Sequence, residues 1–407
     1  MAPRRVEVWL PLNGQDVLAG HLFAETIRGR TTASFRFSPE YLTQPGAYSF
    51  DPAFQLNEST QVHPQGGLSG TFSDSQPDRW GQRLIQRNRS AQEKSAPTEV
   101  DYLLGVDDRL RMGAIRFREP GGDFLAPSAG SEVPPLINLS ELALLAAMAE
   151  SSDTAFERLA ELTRVGSSLG GARPKANVID GDGNIAIAKF TSVKDDDSTI
   201  AWEFVSLNMA EKCGIKVPKS QLLRVSGQPV LLMERFDRIG DQRIPYMSVM
   251  TLLQLTDGSD AHSCYVEIAE ELPSRQDRHE LFRRAALGLL IGNTDDHLRN
   301  HGLLRHEGTW RLSPAFDINP GTQKSDHATP IMFGEDDTVA TLLNYADYFE
   351  LTDSEARRSL RSVADAVLSW RAEARLAGIS ESECNRFKEI FESPLLTDAE
   401  RMTRASG

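Results

Sequence analysis

Two polar side chains that could carry out phosphoryl transfer stand five positions apart, directly after an apolar run. They are Asp295 and Asn300, in the segment 293–300. A carboxylate can accept or orient the proton of an attacking hydroxyl, and an amide oxygen five residues later can bind Mg²⁺. Because one short loop would set both groups against the same phosphate, we predict that both are catalytic residues. Asp295 would be the base, and Asn300 would also bind metal.

A second carboxylate follows where such a site needs one. The runs 303–305 and 309–312 flank a turn, and Phe316 and Asp317 come just after this hairpin pattern. The spacing Asp-x-x-x-x-Asn, with a later carboxylate that binds magnesium, is typical of protein kinases. Here the tripeptide is Asp-Ile-Asn rather than Asp-Phe-Gly, so the match to ordinary protein kinases is partial.

Other interpretations of this loop remain open. Aspartate-rich loops that follow helices are often caps and turns without any chemistry. His297 and His301 lie one helical turn apart and could form a metal pair. No third His or Cys stands at a useful spacing, however, and a loop histidine is more often a hydrogen-bonding group.

A glycine-rich segment at 166–175 lies between a predicted helix and a predicted hairpin, whose strands 175–179 and 185–190 are joined by a turn at 180–183. Glycines let backbone N–H groups approach phosphate oxygens closely. The segment is neither a Walker A loop nor the six-residue glycine pattern of protein kinases, so a flexible turn is an equally good interpretation. The positive charges of Arg173 and Lys175 favour a phosphate site.

Lys189 and Glu203 are charged residues in apolar surroundings. Lys189 lies on the alternating strand pattern 185–190, and Glu203 lies on or beside the apolar stripe of a predicted helix. A charge in such surroundings needs a partner. An ion pair between them meets both needs and repeats the strand-lysine to helix-glutamate pair of kinases. The alternative is that both side chains lie at an edge and are solvated.

A buried strand pattern at 230–234 runs into a polar segment. In a kinase, the chain that links the two lobes offers backbone groups to adenine. Glu234, Arg235 and Phe236 are therefore candidates for nucleotide binding, although this pattern is unspecific without its neighbours.

The surrounding elements predict a two-lobed α+β architecture. Residues 1–118 form a predicted β-rich subdomain, with strand alternation at 6–10, 17–21 and 33–37, a hairpin turn at Asn13-Gly14, a helical pattern at 72–85 and a closing strand at 112–117. Residues 119–135 are rich in Gly, Pro and Ser and indicate a boundary. We predict a kinase N-lobe core at 136–238, a helical C-lobe at 239–395 and a flexible tail at 396–407.

Composition excludes several classes of protein. The 407 residues include 40% hydrophobic and 25% charged residues, which is ordinary for a globular protein. The net charge of −14 makes direct nucleic-acid binding unfavourable. The three cysteines are widely separated, and no stretch approaches the length of about 18 apolar residues that a membrane span needs. We therefore expect a cytoplasmic protein.

In its motifs, the chain resembles the HipA family of toxin kinases over nearly its whole length. The N-terminal part resembles the family's amino-terminal domain at 74–81, 103–106 and 112–114. The kinase core is matched by Gly-Gly-Ala-Arg-Pro-Lys175, Glu-Arg-Phe-Asp-Arg238, Thr-Asp-Asp-His-Leu-Arg-Asn300 and Phe-Asp317, in this order. Two positions depart from the best-known member. Arg173-Pro174 replaces more polar residues, and Asp296 stands where a small residue is common.

The resemblance implies a bilobal, protein-kinase-like fold with a β-rich N-lobe, an extra N-terminal subdomain and a mostly helical C-lobe. It implies ATP and Mg²⁺ as cofactors. By motif match, Asp295 is the base and Glu203 is a structural ion-pair residue. Metal is bound by Asn300 and Asp317. ATP is bound by Gly170, Gly171, Ala172, Arg173, Lys175, Lys189, Glu234, Arg235, Phe236, His297, Asn300, Phe316 and Asp317.

The resemblance also implies regulation and partners. Family members phosphorylate their own glycine-rich loop at a position that corresponds to Ser168, with Ser167 as the adjacent alternative. Two added negative charges beside the ATP phosphates would repel the nucleotide. The implied partners are a small DNA-binding antitoxin of the HipB type, with DNA contacted mainly through it, and a protein substrate such as an aminoacyl-tRNA synthetase. Growth arrest and persistence would follow.

Two rival functions stay open. A nucleotide-binding pseudokinase could serve as a regulatory or antitoxin-docking module, although such a protein would have no need to keep Lys189, Asp295, Asn300 and Asp317 together. A metal-dependent phosphohydrolase could use the Asp/His cluster, although it would make no use of Lys189.

Overall fold

The computed structural model describes two compact units. One comprises residues 1–193, 234–257 and 303–309, and the other comprises 194–233, 258–302 and 310–407. We refer to them as the first and second unit. The described residues are 3–68, 70–91, 95–125, 139–149, 154, 173–192, 195, 198–256, 263–321 and 327–404.

The described strands and helices lie largely in separate runs along the chain. The strands are β1 (Arg4–Leu12), β2 (Gln15–Ile27), β3 (Arg30–Phe37), β4 (Arg116–Arg118), β5 (Lys175–Ile179), β6 (Ile185–Phe190), β7 (Ser220–Val225), β8 (Gln228–Glu234), β9 (Arg238–Ile239), β10 (Gln242–Arg243), β11 (Tyr246–Ser248), β12 (Gly302–His306) and β13 (Thr309–Leu312). The helices are α1 (Pro39–Leu42), α2 (Thr71–Asp74), α3 (Arg79–Ala91), α4 (Glu99–Leu104), α5 (Leu139–Ala149), α6 (Thr199–Lys212), α7 (Val249–Leu252), α8 (Tyr265–Glu271), α9 (Arg275–Ile291), α10 (Val339–Asn344), α11 (Asp353–Leu368), α12 (Trp370–Leu376), α13 (Glu381–Phe391) and α14 (Pro394–Arg404).

The N-terminal sheet of the first unit has the strand order β3-β2-β1-β4, and its pairs are antiparallel. The predicted turn Asn13-Gly14 joins β1 to β2, and both residues have the positive φ that this turn requires. The inward face of the sheet packs on an aromatic core. The ring of Phe35 lies with its centroid 4.8–5.9 Å from those of Phe37, Phe50, Phe54 and Phe72.

Strands β5 and β6 form the predicted antiparallel hairpin, in which Lys175 pairs with Lys189 and Ile179 with Ile185. Its turn is held by Asp180, whose Oδ1 accepts hydrogen bonds from two backbone N–H groups farther along the turn. This side-chain acceptor mimics a backbone turn and closes the hairpin locally. The sequence prediction of this hairpin is confirmed.

Helix α6 of the second unit is anchored at its beginning by a buried acid and an aromatic cluster. Glu383 accepts hydrogen bonds from the backbone N–H of Ser198 (2.6 Å) and from Nε1 of Trp202 (2.9 Å). The indole of Trp202 stacks on Phe387, with ring centroids 4.3 Å apart, and on Phe391. Glu203 on this helix is therefore held in position by groups distant in sequence.

We expect Trp202→Ala to lower the free energy of unfolding by about 3–5 kcal/mol, the usual cost of removing a buried tryptophan ring. The side chain is 1% exposed, and its loss also removes a hydrogen-bond donor from Glu383. Denaturant unfolding followed by circular dichroism measures this change. Tyr348→Ala, at a position that is 40% exposed, is the matched control. Equal destabilisation by both variants would contradict the anchoring role.

Two sequence predictions differ from the structure. Residues 396–404 are not a flexible tail, because α14 begins at Pro394, buries Leu396 and Ala399, and has its Met402 carbonyl held by Arg357. The strand expected at 112–117 is reduced to β4. Gly113 has a φ of +73° and donates its N–H to the Asp237 carboxylate, so its backbone is not free to pair in the sheet.

The remaining elements agree with an α+β class, with sheets and helices largely in separate runs. The predicted domain limits at 118, 136 and 238 stay predictions, and part of the boundary region 119–135 lies outside the described residues. Within the described part of the chain, no helix combines the length and apolar character needed to cross a membrane.

Candidate functional site

The loop that carries Asp295 begins where α9 ends. The apolar face of α9 is buried, and Gly292 ends the helix with a left-handed φ of +62°. Glycine adopts this conformation without steric cost, which lets the chain turn sharply. The N–H of Asn293 then bonds to the carbonyl of Gly288 at 2.9 Å. A single 3-10 turn, Leu298–Asn300, closes the loop before β12.

Within this loop, Asp295 is exposed, whereas Asn300 is only 4% exposed. The side-chain Nδ2 of Asn300 donates to the backbone carbonyl of Asp295 at 3.0 Å, which fixes the orientation of the amide. Its Oδ1 is buried and has no hydrogen-bond partner among the described residues. A buried acceptor without a partner is costly, which makes this oxygen a candidate ligand for a bound cation or hydrogen-bond donor. The loop therefore presents a carboxylate to solvent next to an oriented amide oxygen.

Asp317 lies in the same unit, in the segment that follows the predicted hairpin β12–β13. Phe316 is buried, and Asp317 has a φ of +58°, in the left-handed region. That conformation costs L-residues about 1–2 kcal/mol, although Asp and Asn adopt it more readily than other non-glycine residues. Strained residues of this kind are found where the surrounding structure imposes a particular side-chain direction. Asn300, Phe316 and Ile318 line one small cavity, which brings this segment and the loop together.

Asp296 points into the protein interior and stabilises the loop through three contacts. The Tyr265 hydroxyl donates to its Oδ2, His301 Nε2 lies 3.1 Å from its Oδ1, and the Thr329 hydroxyl donates to its backbone carbonyl at 2.6 Å. Burial raises the pKa of the Asp296 carboxyl, but His301 and Tyr265 outweigh burial and bring that pKa below its ordinary value. Asp296 is therefore a buried group whose ionised form is favoured, and its contact with His301 connects the start of the loop to the residue that follows Asn300.

The chain that follows Asp317 also fastens the loop. The N–H of Gly321 bonds to the carbonyl of Ile291, and the N–H of Ala328 bonds to the carbonyl of Thr294 at 3.0 Å. A Cβ at Gly321 would meet the carbonyl oxygen of Gly292 at 2.0 Å, so only glycine fits there. We refer to the loop 293–300 as the base loop, after the predicted role of Asp295. The base loop and the Asp317 segment are thus fixed to each other by backbone contacts.

We expect Asp296→Ala to lower the free energy of unfolding by about 2–3 kcal/mol, because it leaves the buried hydroxyl of Tyr265 without its acceptor. Chemical denaturation measures this loss. Asp347→Ala, at an exposed position in the same unit, should change stability by less than about 0.5 kcal/mol. A loss for Asp296→Ala no greater than that of the control would show that Asp296 does not hold the loop.

Lys175 and Lys189 are both buried and stand directly opposite each other in the first unit. Like charges in this position repel each other unless anions are near. One anion is Asp78, whose Oδ2 lies 2.6 Å from Lys175 Nζ. Arg173 is half-buried in the same unit. The other predicted members of this loop, Ser167, Ser168, Gly170, Gly171 and Ala172, lie outside the described residues.

Arg235 has a structural role that the sequence does not reveal. Its guanidinium bonds to the Asp237 carboxylate and to the carbonyls of Leu110 and Arg111, and its side chain is 1% exposed. Its backbone N–H bonds to the carbonyl of Ile185. The side chain therefore fastens the 110–113 segment to the end of β8, and any contact of Arg235 with a nucleotide would have to come from its backbone carbonyl.

The other two residues of the predicted adenine segment differ in burial. Phe236 packs on a cluster formed by Met112, Ile244, Tyr246 and Leu304. Glu234 is half-buried at the end of β8.

Glu203 and Lys189 are each 3% exposed, as their apolar surroundings predicted. Because they belong to different units, their pairing stays a prediction. His297 is half-buried in the base loop, whereas His301 points to Asp296 and Tyr265. Among the described residues, no group of three or more His, Cys, Asp or Glu is placed to hold a metal ion. The donors that the second unit offers are instead an amide oxygen and a carboxylate, which are the hard oxygen ligands that Mg²⁺ prefers.

The family model of the HipA-like C-terminal domain matches residues 167–371. No curated protein gives a significant match. Among solved structures, a chain of the complex described as the Shewanella oneidensis MR-1 toxin–antitoxin system HipA, HipB and its operator DNA is similar. The TM-score is 0.67 and the identity 16%, over 97% of both chains. This similarity confirms the predicted fold class.

The Helicobacter pylori proinflammatory kinase CtkA is also similar, with a TM-score of 0.46 and 13% identity. That similarity covers 59% of this chain and 95% of CtkA.

Proposed function

This chain belongs to the HipA family, and from that premise we propose that it is an ATP-dependent serine/threonine protein kinase, the toxin of a HipA/HipB-like system. The observation that carries the proposal is the arrangement of Asp295 and Asn300. An exposed carboxylate lies beside an amide whose orientation is fixed and whose buried oxygen has no partner among the described residues. A loop that served only as a helix cap would not need that oxygen.

The chemistry follows from the residues of the second unit. Asp295 accepts the proton of a substrate serine hydroxyl as the serine oxygen bonds to the γ-phosphorus of ATP, and the bond to the β,γ-bridging oxygen breaks to leave ADP. Asn300 and Asp317 hold the metal, because an amide oxygen and a carboxylate are suitable donors for it. Mg²⁺, when bound, neutralises negative charge on the phosphates. Phe316 and His297 line the nucleotide site in this proposal.

The first unit supplies nucleotide binding in this proposal. Lys189 and Lys175 bind phosphate oxygens, together with Arg173 and the glycine loop 170–172. Support comes from the burial of two lysines side by side, which only anions make favourable. Glu234, the carbonyl of Arg235, and Phe236 hold the adenine.

Regulation and partners extend the proposal. We assign Ser168 as the autophosphorylated residue, with Ser167 as the alternative, since a phosphate there would repel ATP. We propose a HipB-like DNA-binding antitoxin as the partner, which is supported by the similarity to a chain from a complex of HipA, HipB and operator DNA. DNA would be bound mainly through that antitoxin. The substrate would be a cytoplasmic protein of translation, such as an aminoacyl-tRNA synthetase, and its phosphorylation would cause growth arrest and persistence.

One experiment separates the proposal from the pseudokinase and the phosphohydrolase. Phosphatase-treated protein is incubated with [γ-³²P]ATP and Mg²⁺, with EDTA as the control, and both label on the protein and free phosphate are counted. The proposal expects label on serine that EDTA prevents. Bound ATP without transfer or hydrolysis would identify a pseudokinase, and free phosphate without labelled protein would identify a phosphohydrolase.

A further inference from the structure

Two asparagines in the second unit share an unusual pair of features. Asn300 donates through Nδ2 to the backbone carbonyl of Asp295 at 3.0 Å, and Asn319 donates through Nδ2 to the backbone carbonyl of Asp317 at 3.3 Å. In both side chains, Oδ1 is buried and has no hydrogen-bond partner among the described residues. Each aspartate of the proposed reaction is thus accompanied by an asparagine that keeps one buried oxygen available.

The orientation of the Asn319 amide is determined by its surroundings. If the amide were turned over, Oδ1 would face the carbonyl oxygen of Asp317, and two acceptors would then oppose each other. The observed orientation leaves Oδ1 without a donor, at a cost of about 1–3 kcal/mol for a buried acceptor. An irregular loop could avoid that cost with any small residue, so the buried oxygen is better explained by a ligand than by the fold.

The segment that carries Asn319 lies against the base loop on both sides of this residue. On its N-terminal side, Phe316 and Ile318 line the same cavity as Asn300. On its C-terminal side, the N–H of Gly321 bonds to the carbonyl of Ile291 at 3.2 Å. Asn319 therefore lies between residues that share a cavity with the proposed metal ligand Asn300 and a backbone contact at the end of α9, where the loop of Asn300 begins.

We propose that Asn319 contributes its Oδ1 as a third protein oxygen of the divalent-cation site, beside Asn300 and Asp317. This inference rests on the proposed function, because that function supplies the cation. Magnesium in nucleotide sites keeps several waters and takes few protein oxygens, so a neutral amide fits without adding excess negative charge. The bond from Asn319 Nδ2 also holds the carbonyl of Asp317, a residue with a left-handed backbone.

The test measures metal affinity rather than activity. Mn²⁺ binding is titrated by electron paramagnetic resonance in the presence of the non-hydrolysable analogue AMP-PNP, with wild type, Asn319→Ala, Asn319→Asp and Asn344→Ala. We expect Asn319→Ala to weaken Mn²⁺ about tenfold, the scale of changes around metal sites. Asn344→Ala changes an exposed asparagine of the same unit and should have no effect.

Asn319→Asp separates a metal ligand from a structural residue. It loses the Nδ2 donor to the Asp317 carbonyl but gains a charged carboxylate oxygen, so a ligand role predicts Mn²⁺ affinity tighter than wild type. A purely structural role predicts affinity as weak as that of Asn319→Ala, because a carboxylate would then oppose a carbonyl. This comparison with wild type decides the question even if Asn319→Ala does not fold, which thermal unfolding without metal would reveal.

Failure of the inference and failure of the proposed function give different results. If wild type binds Mn²⁺ with AMP-PNP and the Asn319 variants bind it equally well, Asn319 is not a ligand and the proposed kinase stands. If wild type binds neither the metal nor the analogue, the nucleotide site itself is wrong, and the inference falls with it.

Discussion

Asp295→Asn is expected to lower the rate of phosphoryl transfer by about 10²–10⁴-fold, the usual contribution of a positioned general base. The substitution preserves shape and removes only the ability to take a proton. The side chain is exposed, and the hydrogen bond from Asn300 goes to the backbone of Asp295, so the loop should keep its structure. The turnover number should fall while ATP affinity stays unchanged, because the lost interaction belongs to the transition state.

The measurement is the initial rate of ³²P transfer from ATP to the protein, beside ATP affinity from equilibrium titration. Asp347→Asn, an equivalent change at an exposed position of the same unit, should transfer at the wild-type rate. If Asp295→Asn transferred phosphate at the wild-type rate, the assignment of the base would be wrong. If ATP affinity were also lost, Asp295 would be a binding residue instead.

Asp317→Asn is expected to reduce transfer by about 10³-fold, corresponding to about 4 kcal/mol of lost metal-ion stabilisation. Asparagine is the informative replacement. It tolerates the left-handed backbone at this position, whereas Asp317→Ala adds about 1 kcal/mol of strain and loses the side chain as well. Asp317→Asn therefore removes the negative charge with little change of conformation, and Asp317→Ala should abolish transfer.

Metal dependence identifies the cause of this loss. The Mg²⁺ concentration that gives half-maximal transfer should rise for Asp317→Asn but stay unchanged for Asp295→Asn, since Asp317 is assigned as a metal ligand and Asp295 is not. Thermal unfolding of each variant without metal provides the control for folding. An unchanged Mg²⁺ requirement in an otherwise folded Asp317→Asn protein would show that the carboxylate does not bind the metal.

Local patterns were sufficient to predict the elements that carry these residues. The hairpin β5–β6 follows from alternation and from Asp180 in its turn, and α9 follows from its apolar face and the glycine that ends it. The spacing of Asp295 and Asn300 is likewise local. These features depend on residues a few positions apart, which is the range that sequence patterns describe.

Long-range pairings could not be predicted from the sequence. Asp78 pairs with Lys175 across 97 positions, and Tyr265 bonds to Asp296 across 31. No periodicity relates such residues, because tertiary packing brings them together. The contacts of Arg235 could not be predicted either. Its position in the predicted adenine segment does not indicate that its guanidinium binds the 110–113 segment.

Helix α14 was missed for a related reason. The Thr, Arg, Ser and Gly residues of the last ten positions indicated fraying, whereas the helix is stabilised by burial of Leu396 and Ala399 and by the bond from Arg357. Asn319 was not identified from the sequence as a candidate site residue either. An asparagine two residues after an aspartate is common in turns, and only the burial of its oxygen marks it.

The most direct test of the kinase assignment is mass spectrometry of the intact protein and its peptides after incubation with Mg-ATP. Dephosphorylated wild type is compared with Asp295→Asn. We predict one added phosphoryl group on the peptide that contains Ser167 and Ser168 in wild type, and none in the variant. Wild type that binds ATP but gains no phosphoryl group on any serine or threonine would contradict the assignment and favour a pseudokinase.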